Sequence, residues 1–280
     1  MHKSVNFIVD KLIITSAGKR FLAMYNKISS YLNHRHNYQF IDANLNVEKK
    51  VIHFFKDLVV KDGLYAGMKY PSFKSVCSAM IPKLSGTYEN ELSFVFERLK
   101  KNKYDLIVDI GCAEGYYAVG LAMIFPNTPI YAFDIDLTAQ QLCREMALLN
   151  QVQDQVITNG ECTIENLSSL VKGKRCLIIS DCEGYEEELF TSDNTHMFSN
   201  CDLIIELHPF ENKNIKKEIY NVLSTGHQVQ FISSLDTNRK AFELSEEYIH
   251  FLSEQKAQVV NEARPFTMDW LVASPVKWAL

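Results

Sequence analysis

Five side chains in the middle of this chain have the types and spacing to do chemistry together. Asp109 and Asp134 each close a short aliphatic run, Leu106-Ile-Val-Asp109 and Ile130-Tyr-Ala-Phe-Asp134, 25 positions apart. Between them, Gly111 and Gly115 punctuate a turn that opens an apolar helix-like segment. Strand, glycine turn, helix, strand, acid is the arrangement by which a doubly wound sheet grips a nucleoside ribose. Further on, Asp181 ends another aliphatic run, and Glu206 and His208 end the next. Two residues apart on a strand, Glu206 and His208 face the same side. In a parallel sheet all these run ends open onto one carboxyl edge, where ligands bind.

The turn narrows the ligand. The helix starting near Gly115 offers free N–H groups, Glu114 lies in the same turn, and the Asp134 carboxylate can accept both ribose hydroxyls. A side chain at Gly111 or Gly115 would block close approach of a ligand backbone. The spacing is Gly-x-x-x-Gly with Ala113 in the middle. A dinucleotide pyrophosphate favours glycine there, whereas a ligand without phosphate does not need it, which points to S-adenosylmethionine over NAD.

The elements that must position these residues follow from periodicity. From residue 105, strands near 105–110, 129–134, 154–158, 175–181, 202–208, 227–233 and 267–273 alternate with helices near 115–125, 137–149, 163–171, 185–190 and 212–224. This predicts an α/β fold, a Rossmann-like doubly wound, mostly parallel sheet of seven strands. A helix is also expected over 243–261. Met268, Trp270 and Val272 alternate and are expected in the core. Residues 1–84 are expected to form a helical N-terminal extension and cap, and 85–280 the ligand-binding domain. Within the cap, 61–90 reads as irregular chain whose Tyr65, Met68 and Tyr70 either roof an acceptor pocket or simply pack.

Charge and cysteine usage bound the function. The net charge of −5 argues against a dedicated nucleic-acid binder. It is unevenly spread: residues 1–40 carry +5 and the rest −10. The basic leader is expected either to rest on an anionic membrane surface or to pack as an arm on the domain or a second subunit, giving a homo-oligomer. Seven cysteines without any Cys-x-x-Cys pair argue against a zinc site and fit reduced thiols. No apolar run approaches the roughly 20 residues of a membrane span. With no secretory signal either, the expected location is the cytoplasm, with peripheral contact at the inner membrane surface as the leader's alternative.

The segments Val108-Asp-Ile-Gly-Cys-Ala-Glu-Gly-Tyr-Tyr117, Ile130-Tyr-Ala-Phe-Asp134, Ser180-Asp-Cys-Glu-Gly-Tyr-Glu186 and Asp202-Leu-Ile-Ile-Glu-Leu-His208 together resemble class I S-adenosylmethionine methyltransferases, and within them the FkbM-type family. The resemblance covers roughly 85–275. The chain departs from the family in having Ala113 where Asn is common and Asp134 where Glu is commoner, and the leader lies outside the match. The resemblance implies O-methylation of a hydroxyl, often on a sugar or secondary metabolite. It places Glu89, Asp109, Gly111, Ala113, Glu114, Gly115, Asp134, Ile135, Glu161, Cys162 and Asp181 around the cofactor, with Glu89 a candidate for its ammonium and Glu161 and Cys162 near its adenine. Methyl transfer to an alcohol needs an aligned oxygen and an acceptor for its proton. His208 is the candidate general base, or else a histidine packed at a strand end. Asp181, Glu183 and Glu206 could form an oxygen-rich Mg²⁺ site, with Asp181 and Glu206 as ligands; Asp181 could instead position cofactor or substrate, with Glu183 toward the acceptor. Glu186 is expected to cap the next helix. The expected function is O-methylation of a sugar or glycoconjugate hydroxyl. The alternatives are a methyltransferase for a polyketide or peptide product, and a non-catalytic nucleoside-binding assembly module.

Overall fold

The computed structural model describes residues 47–209, 212–264 and 266–278. The leader helices expected before residue 47 lie outside the described residues. Seven strands form one sheet: β1 (Leu106–Ile110), β2 (Ile130–Phe133), β3 (Val156–Asn159), β4 (Cys176–Ser180), β5 (Cys201–Leu207), β6 (His227–Ser233) and β7 (Asp269–Pro275). Their order is β3-β2-β1-β4-β5-β7-β6. The first five are parallel, and β7 inserts antiparallel between β5 and β6. This is the Rossmann-like, mostly parallel sheet that the alternation predicts.

The period of two divides each strand between two cores. Ile107, Leu177, Ile179, Ile204, Trp270 and Val272 face one. Leu106, Val108, Ile178, Leu203, Ile205 and Leu271 face the other. Strands β1, β4 and β5 are buried along their whole length, as parallel strands covered on both sides must be. Each fully buried aliphatic side chain there contributes about 1.5–3 kcal/mol. Asp109 and Glu206 occupy first-face positions, in phase with Ile107 and Ile204.

Helices α1 (Lys49–Phe54), α2 (Met80–Ser85) and α3 (Ser93–Leu99) precede the sheet. Val51, Phe55, Met80, Leu84 and Phe96 pack in the first-face core with α4 (Tyr116–Ile124). Helix α4 is buried from Tyr116 through Ala122, because the sheet covers one side of it and this N-terminal layer the other. The first face also carries α5 (Leu137–Leu149). The second face carries α6 (Ile164–Val171), α7 (Glu186–Leu189) and α8 (Ile215–Leu223).

One expectation changes, and of one pair of alternatives plain packing is favoured. The helix predicted over 243–261 is broken into a 3₁₀ turn at Glu246–Tyr248 and α10 (Ser253–Val260), preceded by α9 (Thr237–Phe242), which Asp236 caps through the N–H groups of Asn238 and Arg239. Tyr65, Met68 and Tyr70 are core residues, at most 3% exposed. The Tyr65 ring meets Tyr116 edge-on at 5.0 Å and fills the space above Gly120, so it packs on α4 rather than walling a pocket. No described helix is long and apolar enough to cross a membrane.

Candidate functional site

The turn after β1 is built by backbone bonds to β2. The N–H groups of Gly111 and Cys112 both donate to the Phe133 carbonyl at 2.9 Å. Asp134 then fastens the loop: Oδ2 accepts from the Ala113 N–H at 3.0 Å and Oδ1 from the Asp136 N–H at 2.8 Å. Ala113 sits at φ +48°, a left-handed conformation that a bare Cβ tolerates poorly and an asparagine better. The glycines serve packing more than ligand approach. A Cβ on Gly111 would lie 1.8 Å from the Asp181 carbonyl oxygen, and one on Gly115 3.0 Å from Cys143 Sγ.

Asp109 is 1% exposed, and its Oδ2 has no hydrogen-bond partner among the described residues. Burial pushes its carboxyl up to about 7 against a backbone hydrogen bond at Ala118, with the charge of Asp134 adding to the rise. An orphaned carboxylate oxygen beside the glycine turn fits a ligand that brings a positive amino group. Ile135, next to Asp134, stays 49% exposed, an apolar surface at the loop's edge. Cys162 is buried, and burial raises its thiol to about 12, while Glu161 is exposed.

Glu114 and Glu89 have partners in the chain itself. Glu114 accepts from Lys83 Nζ at 2.5 Å and from the Val76 N–H at 3.0 Å, both side chains of the ion pair being buried. It ties the 75–83 segment down onto the turn. Glu89, at φ +49°, takes the Tyr117 hydroxyl and Arg264 Nη2. Burial lifts its carboxyl to about 7, Arg264 opposing and Glu206 reinforcing the rise.

The second half of the site is centred on His208. Its side chain is 2% exposed. Nδ1 lies 3.0 Å from Glu186 Oε1. Nε2 lies 3.3 Å from Glu206 Oε2, 3.6 Å from Asp181 Oδ1 and 3.6 Å from Glu183 Oε2. The loop that delivers the acids turns through left-handed Glu183 and Gly184, φ +55° and +105°. Glu186 also accepts the N–H groups of Cys182 and Gly184, at 3.1 and 2.8 Å. These bonds brace the loop before the helix, which carries no side-chain cap, so the expected cap is replaced by a different role: Glu186 holds the turn and orients the histidine. Burial alone would drive His208 toward neutrality, but Glu186 and Glu206 outweigh it and hold the imidazole well above its ordinary range. Burial and the charge of Glu206 raise Asp181. Glu206 stays low because Arg264 and His208 overcome its burial.

Ligand atoms of Asp181, Glu206 and His208 all lie within 4.8 Å of one another, a spacing that one cation could bridge. Arg264 closes the cluster from above the sheet edge. It reaches Glu206 Oε1 and Glu89 Oε1 at 2.5 Å each and Glu262 Oε2 at 2.7 Å. Lys240 pairs with Glu262 and lies 2.9 Å from Glu91. Arg264, Lys240 and Lys83 escaped the sequence reading because none carries a local motif, and the histidine-holding role of Glu186 escaped it because the Ser180–Glu186 segment does not show what its last acid faces. The available signal was topological: if β7 runs antiparallel to β5, residues just before Asp269 must lie at the carboxyl edge.

No family model matches the sequence, and no curated protein does. Solved structures align with parts of it at low identity. TrmN from Thermus thermophilus is 15% identical over 70% of this chain and 52% of its own, at a TM-score of 0.42. The chain thus spans about half the length of that protein. A precorrin-6y C5,15-methyltransferase from Geobacter metallireducens is 16% identical over 67% of this chain and 87% of its own, at 0.44. An O-methyltransferase from Bacillus cereus in complex with SAH is 10% identical over 85% and 99%, also at 0.44.

Proposed function

We propose that the chain is an S-adenosylmethionine-dependent O-methyltransferase whose acceptor is a hydroxyl of a sugar or glycoconjugate. The observation that carries the reading is the buried Glu186–His208 pair, which turns Nε2 toward the carboxyl edge where Asp109 and Asp134 also end. When bound, S-adenosylmethionine supplies an electrophilic methyl group. Asp134 would accept the ribose hydroxyls, Ile135 would lie against the base, and the orphaned Asp109 Oδ2 would accept the ammonium.

An alcohol oxygen attacks carbon well only as its proton leaves. His208 Nε2 is the atom placed to take that proton, and Glu186 fixes the ring so that Nδ1 keeps its own. At rest the surrounding carboxylates favour the imidazolium, so His208 must enter the step neutral. Positive charge brought into the cluster favours that state. Asp181 and Glu183, each about a quarter exposed, are the carboxylates that an acceptor's other hydroxyls can reach. Arg264 pairs with Glu206 and Glu89 and offsets part of the repulsion among the carboxylates at the edge.

A divalent cation is a second reading, favoured by the spacing of Asp181, Glu206 and His208. Held there it would polarise the acceptor hydroxyl. Glu206 Oε2 and Asp181 Oδ1 suit a hard cation, and Arg264 takes the other Glu206 oxygen. The deciding experiment is calorimetry of the full chain with S-adenosylmethionine and with NAD, followed by transfer of a labelled methyl group to a glycan panel. The expected result is binding of the first only, with label incorporated into a hydroxyl-bearing glycan. Binding of NAD alone would overturn the reading.

A further inference from the structure

Beside the carboxyl edge, on the sheet face opposite Glu206, lies a recess of about 290 Å³ lined by Lys213, Asn214, Lys216, Lys217, Tyr220 and Phe231. Its place in the fold is fixed through Asp269. That residue is in register with Leu207, the residue before His208, and accepts from Lys216 Nζ at 2.7 Å and from Ser233 Oγ at 2.6 Å. The recess therefore opens at the level where β5 delivers His208.

Its lining combines two chemistries. Tyr220 and Phe231 form an aromatic floor, ring centroids 6.0 Å apart and tilted by 36°, with Tyr220 43% exposed. Lys216 is committed to Asp269, its Nζ 4.4 Å from the Phe231 centroid. Lys213 and Lys217 are exposed, and neither has a carboxylate partner among the described residues. The neighbouring acid, Glu218, accepts from the Asn212 side chain. Two cations without a carboxylate partner among the described residues thus line an aromatic recess in a chain whose site is crowded with Asp181, Glu183, Glu186 and Glu206. An anion is repelled by the acid cluster and drawn to this recess, so the two together orient a molecule charged at one end.

We propose that the recess anchors a phosphorylated acceptor: Lys213 and Lys217 bind a phosphoryl group, and Tyr220 and Phe231 take the apolar face of the ring attached to it. The hydroxyl-bearing part then extends over the edge toward His208. This names the substrate class of the methyl-transfer reading and rests on it.

The test is calorimetry of the full chain at low salt with glucose 1-phosphate, UDP-glucose and, as the uncharged control, glucose. S-adenosylhomocysteine is titrated in parallel. Both phosphates should bind more tightly than glucose and weaken as salt rises. K213E/K217E should weaken them by at least about tenfold, the usual effect of removing a charge-assisted hydrogen bond to phosphate. Y220A should weaken them less, and neither variant should change S-adenosylhomocysteine binding or Tm. Tighter binding of UDP-glucose than of glucose 1-phosphate identifies a nucleotide-linked acceptor, and equal binding a sugar phosphate. Phosphates that bind no better than glucose, or equally well to K213E/K217E, overturn the anchor while leaving the methyl-transfer reading standing. Failure of S-adenosylhomocysteine alone to bind would instead count against that reading and not against the anchor.

Discussion

Glu186 Oε1 lies 3.0 Å from His208 Nδ1, with both side chains buried and 22 positions apart in the chain. A buried carboxylate that takes one ring nitrogen decides what the other can do. His208→Ala should therefore lower turnover by about 10²–10⁴-fold, the usual contribution of a general base. Affinity for S-adenosylhomocysteine should be unchanged in calorimetry. Turnover that survives the change removes His208 from the chemistry.

Glu186→Gln keeps the size of the side chain and weakens its hold on the ring. It should reduce kcat by roughly tenfold or more with little effect on KM, because positioning acts on the chemical step. A variant altered in KM alone would show that Glu186 serves only the turn at Cys182–Gly184.

Lys83 and Glu114 form a buried ion pair that pins the 75–83 segment to the glycine turn. Removing one partner leaves a buried charge uncompensated. Lys83→Met should cost about 3–5 kcal/mol in denaturant unfolding. The double variant Lys83→Met/Glu114→Leu should recover most of that loss. A double variant as unstable as the single one would show that the segment is held by something else.

The Asp109 carboxyl titrates near 7 in the folded chain against an ordinary value of 3.8. Between those values the folded protein keeps a proton that the unfolded chain has lost. The stability tied to that proton is complete below 3.8 and gone once pH passes 7. Asp109→Asn should therefore raise Tm at pH 8, and the gain should vanish by about pH 4. The same variant should weaken S-adenosylmethionine, whose ammonium loses its partner. A Tm difference independent of pH would contradict the assignment.

Gly111 cannot be replaced cheaply. Its φ is +85°, and an added Cβ would meet the Asp181 carbonyl 1.8 Å away, so the β1 and β4 ends must part. Gly111→Ala should destabilise by at least about 2 kcal/mol. Because the displaced backbone carries Asp181, turnover should fall further than stability alone explains, which thermal melts and kinetics on one sample will separate.

The amino-acid sequence by itself determined the strands, their alternation with helices and the acids at their tips. Leu106–Ile110, Cys176–Ser180 and Cys201–Leu207 are largely apolar runs that can only be buried on both faces, and a residue's place at a run's end puts it at the sheet edge. These are local properties, readable within a dozen residues. Tertiary structure alone decided what each acid faces. Glu206 meets Arg264, 58 positions away, because β7 enters the sheet antiparallel and brings the chain before Asp269 back over the carboxyl edge. Glu114 points at Lys83 because α4 is sandwiched under an N-terminal layer whose 61–90 stretch reads only as irregular chain. Partners joined by long loops depend on how the layers pack, and packing free energy is spread over the whole core rather than written in any one segment.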